Sequence, residues 1–245
     1  MSKPIPFTAP MARANRMKIK TNTRRLVPKK FTSCIELTDG KPFIEDEYGN
    51  FIPLQDWAPY QPGDILWQRE PAIVIDTFFE FKCPLFSGDI LKIKFLADGA
   101  KRLCKLPERI SDRWNKTSDP ASNLPNWISK KQGIPNGCFK EAARTWLKVT
   151  SVRVQRLWQI SEEDAIAEGV EHVGFCGNMN DRYPLYKDYS AKIVDEEEGF
   201  TRTARGSFET LWDLLAKDGS RWEDNPWVWV YRYELCGKPE GWDNA

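Results

Sequence analysis

Trp146-Leu-Lys-Val-Thr-Ser-Val-Arg-Val-Gln-Arg-Leu157 decides the fold class. The stretch alternates for a dozen residues with the period of a strand that turns one face to a core and the other to water. The same signal recurs on either side. Asp64-Ile-Leu-Trp-Gln-Arg-Glu70 follows a Pro62-Gly63 turn, Ala72 to Lys82 is rich in Ile, Val and Phe, Asp89 to Leu96 alternates, and Trp227 to Leu235 closes the pattern. Phe43 to Pro53 reads as a hairpin turning at Tyr48-Gly49-Asn50. Strands therefore dominate, and the expected fold is a mixed, mostly antiparallel α+β domain or small barrel spanning 1–245.

Helices are few. Met11 to Met17 is long enough for a short one. Ser161-Glu-Glu-Asp164 matches a capping box, in which Ser161 accepts from the helix amides and Asp164 answers from the third position. The acids at 162 to 164 suit the positive end of a helix dipole, and Gly169 is a natural stop. Ser207 to Lys217 places Phe208, Leu211, Trp212 and Leu215 on one face. Two polar stretches, 107–137 and 174–204, read as inserted loop regions.

The composition bounds the function. Thirty-six Lys and Arg against 35 Asp and Glu give a net charge of +1, which excludes a global electrostatic sponge for nucleic acid but not a local patch. The first 34 residues hold nine cations (Lys3, Arg13, Arg16, Lys18, Lys20, Arg24, Arg25, Lys29 and Lys30) and no acid. Acids gather instead at Glu162–Asp164, Glu168, Glu171 and Asp195–Glu198. The basic end suits an anionic ligand or is a solvated arm, and composition does not separate the two. The run Asp195–Glu198 reads as a solvated loop.

No apolar run approaches the roughly 18 residues of a membrane span, and the N-terminus lacks the pattern of a secretory signal, so a cytoplasmic protein that avoids membranes is expected. The six cysteines are scattered, and the single His172, read as a loop residue, excludes zinc sites built on several imidazoles. They read as mostly buried free thiols. Neither a metal nor a cofactor is called for.

Four segments carry a resemblance. Pro10-Met11 with Lys20-Thr-Asn-Thr-Arg-Arg25 is the first, and Pro62-Gly-Asp-Ile-Leu-Trp67 with Arg69-Glu70 the second. Leu157-Trp-Gln-Ile-Ser-Glu-Glu-Asp-Ala-Ile-Ala-Glu-Gly169 follows, and Phe208, Leu211-Trp212, Trp222 and Asn225-Pro-Trp-Val-Trp-Val230 complete the set. Read in order, they resemble the ASCH-like members of the PUA-like superfamily, closest to a group encoded by bacteriophages and prophages. The departures are Lys18 where that pattern has Gly, and Cys138 to Arg144, which keeps little of its segment.

The resemblance implies a small mixed β-barrel with short helices and a cleft that holds RNA, DNA or a modified nucleoside in the host cytoplasm. In that reading Arg24 and Arg25 grip phosphate, and Trp67, Arg69 and Trp146 line the cleft. A subgroup with a similar Lys-x-x-Thr block hydrolyses the amide of N4-acylated cytidine. Carried over, its catalytic residues become Lys20, Thr23 and Glu168.

The chemistry is coherent, since a hydroxyl becomes a nucleophile only beside a base and Lys serves as one when desolvation lowers its pKa. Glu168 beside it would orient Lys20 yet raise that pKa, and geometry decides which effect wins. On a regular strand, however, Lys20 and Thr23 point to opposite faces. Glu168 at the negative end of its helix calls for a basic partner such as Lys20 or Arg25. Trp212, Trp227 and Trp229 read as core, and Asp64 as a turn residue. A third possibility is a phage accessory protein that binds a host protein through the two insertions.

Overall fold

The structure, a computed structural model, describes residues 2–83, 86–106, 128, 131, 133–178, 181–191 and 199–242, with side chains 79–89 excepted. The strands are β1 (Lys3–Pro6), β2 (Asn22–Leu26), β3 (Ile35–Thr38), β4 (Lys41–Glu45), β5 (Phe51–Pro53), β6 (Ile65–Arg69) and β7 (Ala72–Cys83). They continue as β8 (Phe86–Phe95), β9 (Lys101–Lys105), β10 (Trp146–Arg156), β11 (His172–Cys176), β12 (Tyr183–Lys187), β13 (Phe200–Thr201) and β14 (Trp227–Cys236). Four α-helices accompany them among the described residues: α1 (Ala9–Arg16), α2 (Lys29–Thr32), α3 (Glu162–Ala167) and α4 (Ala204–Leu215). The fold is mixed α+β with strands predominant, and its sheets are open rather than closed into the expected barrel. No described helix is long and apolar enough to cross a membrane.

The chain divides into two compact units. The first holds Met1–Arg16, Asp64–Lys148 and Leu235–Ala245. There β1 pairs parallel with β6, and β6 pairs antiparallel with the start of β10, setting Trp67 opposite Trp146. The long hairpin β7–β8 and β9 form a second sheet, whose core includes Val74, Leu91, Ile93, Phe95, Ile134 and Phe139. A fully buried Glu70 accepts from Arg16 at 2.6 Å and Arg144 at 2.7 Å, and Arg144 also lies 3.8 Å over the Phe95 ring. This contact fastens α1 beside β6.

The second unit holds Met17–Gly63 and Val149–Glu234. In it β14 lies between β10 and β2, and β3, β4 and β5 form a meander. The β4–β5 hairpin closes where expected, with Asp46 accepting from Tyr48 N and Asn50 N at 2.8 Å and Gly49 at φ +82°. Several local expectations are corrected. Helix α1 begins two residues early, and α4 begins at Ala204 because Thr203 caps it, accepting from Gly206 N at 3.0 Å.

The stretch 174–204 carries the end of β11 together with β12 and β13 rather than loop alone. His172 is not a loop residue; it opens β11 and packs against Phe175 and Tyr186. Residues 107–127 and the run Asp195–Glu198 lie outside the described residues. Of the described cysteines, all free, only Cys104 and Cys138 are buried; Cys34 and Cys176 are exposed. Burial pushes the two buried thiols up to about 12 and about 11, which leaves them unreactive.

Candidate functional site

Unit 2 sets a helix with acids four residues apart against a strand with polar residues two apart. Four helical residues rise about 6 Å and two strand residues about 6.6 Å, so the two rows match. Asp164 and Glu168 thus share one helix face, where Lys20 meets Glu168, Asn22 meets Asp164 and Arg24 reaches both. Lys20 Nζ donates to Glu168 Oε2 at 2.7 Å, and Arg24 donates to Glu168 Oε1 and Asp164 Oδ2, both at 2.9 Å. Asn22 donates to Asp164 Oδ1 at 3.0 Å. Arg153 of β10 and Arg232 of β14 reach the same Asp164 carboxylate.

Four cations therefore surround two carboxylates, and the side chains of Lys20 and Arg24 are wholly buried. Burial by itself would raise the Glu168 carboxyl; Lys20 first and then Arg24 outweigh it, and the group is held below its ordinary range. Asp164 is held low in the same way, by Arg24 and Arg153 against its burial. For Lys20 burial is the largest influence, Glu168 opposes it, and Arg25 and Arg24 add to it, so the ammonium is pulled below its ordinary value. That answers the question the sequence left open.

Lys20 has a second task. Its Nζ also donates to the Glu168 backbone carbonyl at 2.6 Å, satisfying a group at the helix end. Gly169, at φ +84°, stops the helix as expected, and Ser161 caps its start by accepting from Asp164 N at 3.1 Å. The reciprocal half of the capping box is replaced: the Asp164 carboxylate turns to the basic strand.

The opposite face of β2 differs in character. The register places Thr23 beside Tyr231 and Arg25 beside Trp229, away from the face of Asn22 and Arg24. Thr23 is buried and Arg25 half-buried. Burial lowers the Arg25 pKa, while Tyr60, Glu168, Tyr233 and Tyr231 act to raise it. Tyr60 meets Tyr231 edge-on at 5.2 Å. Phe31 packs on Trp229 at 6.0 Å and on Trp57 at 5.6 Å, with the Lys30 ammonium 4.7 Å over the Phe31 ring. The indole N–H of Trp229 is buried without an acceptor.

The sequence-predicted residues therefore separate. Lys20, Arg24 and Glu168 come into direct contact, whereas Thr23 and Arg25 lie on the other face of the strand. In unit 1, Trp67, Arg69 and Trp146 come together: the two indoles are cross-strand partners, and the Arg69 guanidinium lies 5.9 Å from the Trp67 ring. Reading from sequence missed Asp164 as an ion-pair partner, along with Arg153, Arg232 and the ring contacts of Phe31 with Trp57 and of Tyr60 with Tyr231. The four-residue spacing of Asp164 and Glu168 was a signal for the first; ring contacts between residues far apart in sequence have none. The comparisons with family models, with curated proteins and with solved structures match nothing.

Proposed function

We propose that this chain is an ASCH-like, PUA-like protein of phage type that binds nucleic acid or a modified nucleotide in the cytoplasm. The observation that carries the reading is the half-buried Arg25 among Tyr60 and Tyr231, next to the Lys30–Phe31–Trp57 group. A guanidinium and an ammonium suit phosphate oxygens, and the exposed ring of Trp57 suits a base face. The phosphate grip passes from the whole basic block to Arg25, Lys29 and Lys30. Lys20 and Arg24 are consumed by the two carboxylates and hold the fold.

Trp57 is 38% exposed, so its removal tests binding without emptying the core. Trp57→Ala is expected to weaken binding of a labelled 12-nucleotide single strand by about 1–3 kcal/mol, read by fluorescence anisotropy. Unchanged affinity would count against this face as the contact surface.

Amide hydrolysis of N4-acylated cytidine is a second reading, favoured by the buried contact of Lys20 with Glu168 at 2.7 Å, which joins two of the three residues it needs; burial pulls the Lys20 ammonium below its ordinary value, the direction a general base requires. It needs Thr23, on the opposite strand face, to meet that base. Thr23→Val preserves the shape of the side chain and removes the hydroxyl. On this reading it abolishes turnover of N4-acetylcytidine, followed by chromatography; turnover that survives the change removes Thr23 from the mechanism.

A further inference from the structure

The arginines of unit 2 divide by sheet face. Arg153 of β10 and Arg232 of β14 turn to Asp164, on the side of Asn22 and Arg24. Arg156, three residues beyond Arg153 at the end of β10, turns the other way. Its guanidinium lies 4.4 Å from the centre of the Trp227 ring. Trp227 and Trp229 share one face of β14, and the register sets Trp229 beside Arg25. Arg156 and Arg25 therefore stand on the same side of the sheet. Trp227, which the sequence places in the core, is instead half-buried and carries a cation on its ring.

Arg156 is held in place but not neutralised. It is exposed, and its Nη1 donates to the Asn225 backbone carbonyl at 3.2 Å. That bond and the indole beneath it fix the guanidinium, yet use one of its five donors. Arg153 and Arg232 each meet a carboxylate; Arg156 forms no ion pair among the described residues. The spacing is informative too. Trp229, beside Arg25, and Trp227, beneath Arg156, are two residues apart on β14, an advance of about 6.6 Å. One nucleotide of an extended single strand covers that step. Cations alternating with rings along one strand face suit a chain that is followed by its backbone rather than read by its sequence.

We infer that Arg156 on Trp227 is a second phosphate subsite, and that the ligand is a single polynucleotide strand lying along β14 with successive phosphates at Arg25 and Arg156. The inference rests on the reading of Arg25 as a phosphate contact and narrows it: a mononucleotide fills one subsite, and a strand fills both. A guanidinium whose plane is fixed by a ring presents paired N–H groups to two phosphate oxygens at once.

The test is fluorescence anisotropy of the full chain with a labelled 12-nucleotide oligothymidylate over a range of salt. Arg156→Gln removes the charge and keeps a donor for the Asn225 carbonyl. It is expected to weaken binding at least fivefold at low salt and to reduce the slope of log K against log salt by roughly one. Combined with Arg25→Ala, it is expected to reduce the slope by roughly two, because separate phosphates release separate counterions. Arg156→Lys keeps the charge and is expected to keep the wild-type slope. An unchanged slope in Arg156→Gln overturns the subsite. A double variant that loses no more slope than either single one overturns the second phosphate, and a slope lost equally in Arg156→Lys shows that Arg156 acts through the fold. These failures leave Arg25 as a phosphate contact. A loss through Arg156→Gln with none through Arg25→Ala refutes Arg25 instead, and with it the pairing of the two subsites.

Discussion

Glu168 sits at a helix end whose dipole disfavours a carboxylate, and Lys20 and Arg24 compensate for it. Removing one partner of a buried ion pair leaves the other charges desolvated and unmatched, which costs about 3–5 kcal/mol. Glu168→Gln, nearly the same size, is expected to lose that much stability in chemical denaturation; a loss below about 1 kcal/mol would show the pair to be incidental. The pH dependence has a definite sign. Glu168 and Asp164 are held below their ordinary values in the folded chain, so the unfolded state binds more protons as the solution is acidified. Their contribution is present above the ordinary carboxylate range of about 4 and is lost as pH falls through and below it. Thermal melts are expected to steepen in their decline below about pH 4.5, and Glu168→Gln to flatten that decline.

The tie between α3 and β2 was partly legible, for a physical reason. A basic partner for Glu168 follows from the helix dipole alone, and Lys20 fills that role. Arg24 as a second partner was not legible, because composition cannot say which cations of a basic block face inward. Alternation on the strand gave the separation of Thr23 from Lys20 before any coordinates. Helix α3 itself was marked by its cap and its Gly169 stop. Ser161→Ala is expected to cost about 1 kcal/mol in unfolding free energy, because Ser161 accepts an otherwise orphan helix amide. A change under about 0.3 kcal/mol would mean that the ion pairs alone hold α3 in place. Strands β11 to β13 escaped notice because they are short, and the register shifts between His172 and Gly174, which breaks the period a reader would count.

Alternation names a strand but not its neighbour, and this limits how far the architecture could be read. Strands β2 and β14 are far apart in sequence, yet their antiparallel pairing creates both faces on which the account of unit 2 rests. A small barrel was one of the two arrangements the strand pattern allowed and the one the family resemblance implied, whereas the strand order ends in open edges. A net charge of +1 hid an internal arrangement in which Lys20 and Arg24 are spent on buried carboxylates while Arg25 stands on the opposite strand face. The central proposal is that the half-buried Arg25, together with Lys29 and Lys30, meets phosphate. Its most direct test is the salt dependence of single-stranded oligonucleotide binding by wild type and Arg25→Ala. The account predicts that affinity falls steeply with salt, and that the substitution weakens binding to all sequences alike while reducing the slope of log K against log salt by roughly one. A slope near zero in the wild type, or one that Arg25→Ala leaves unchanged, would contradict it.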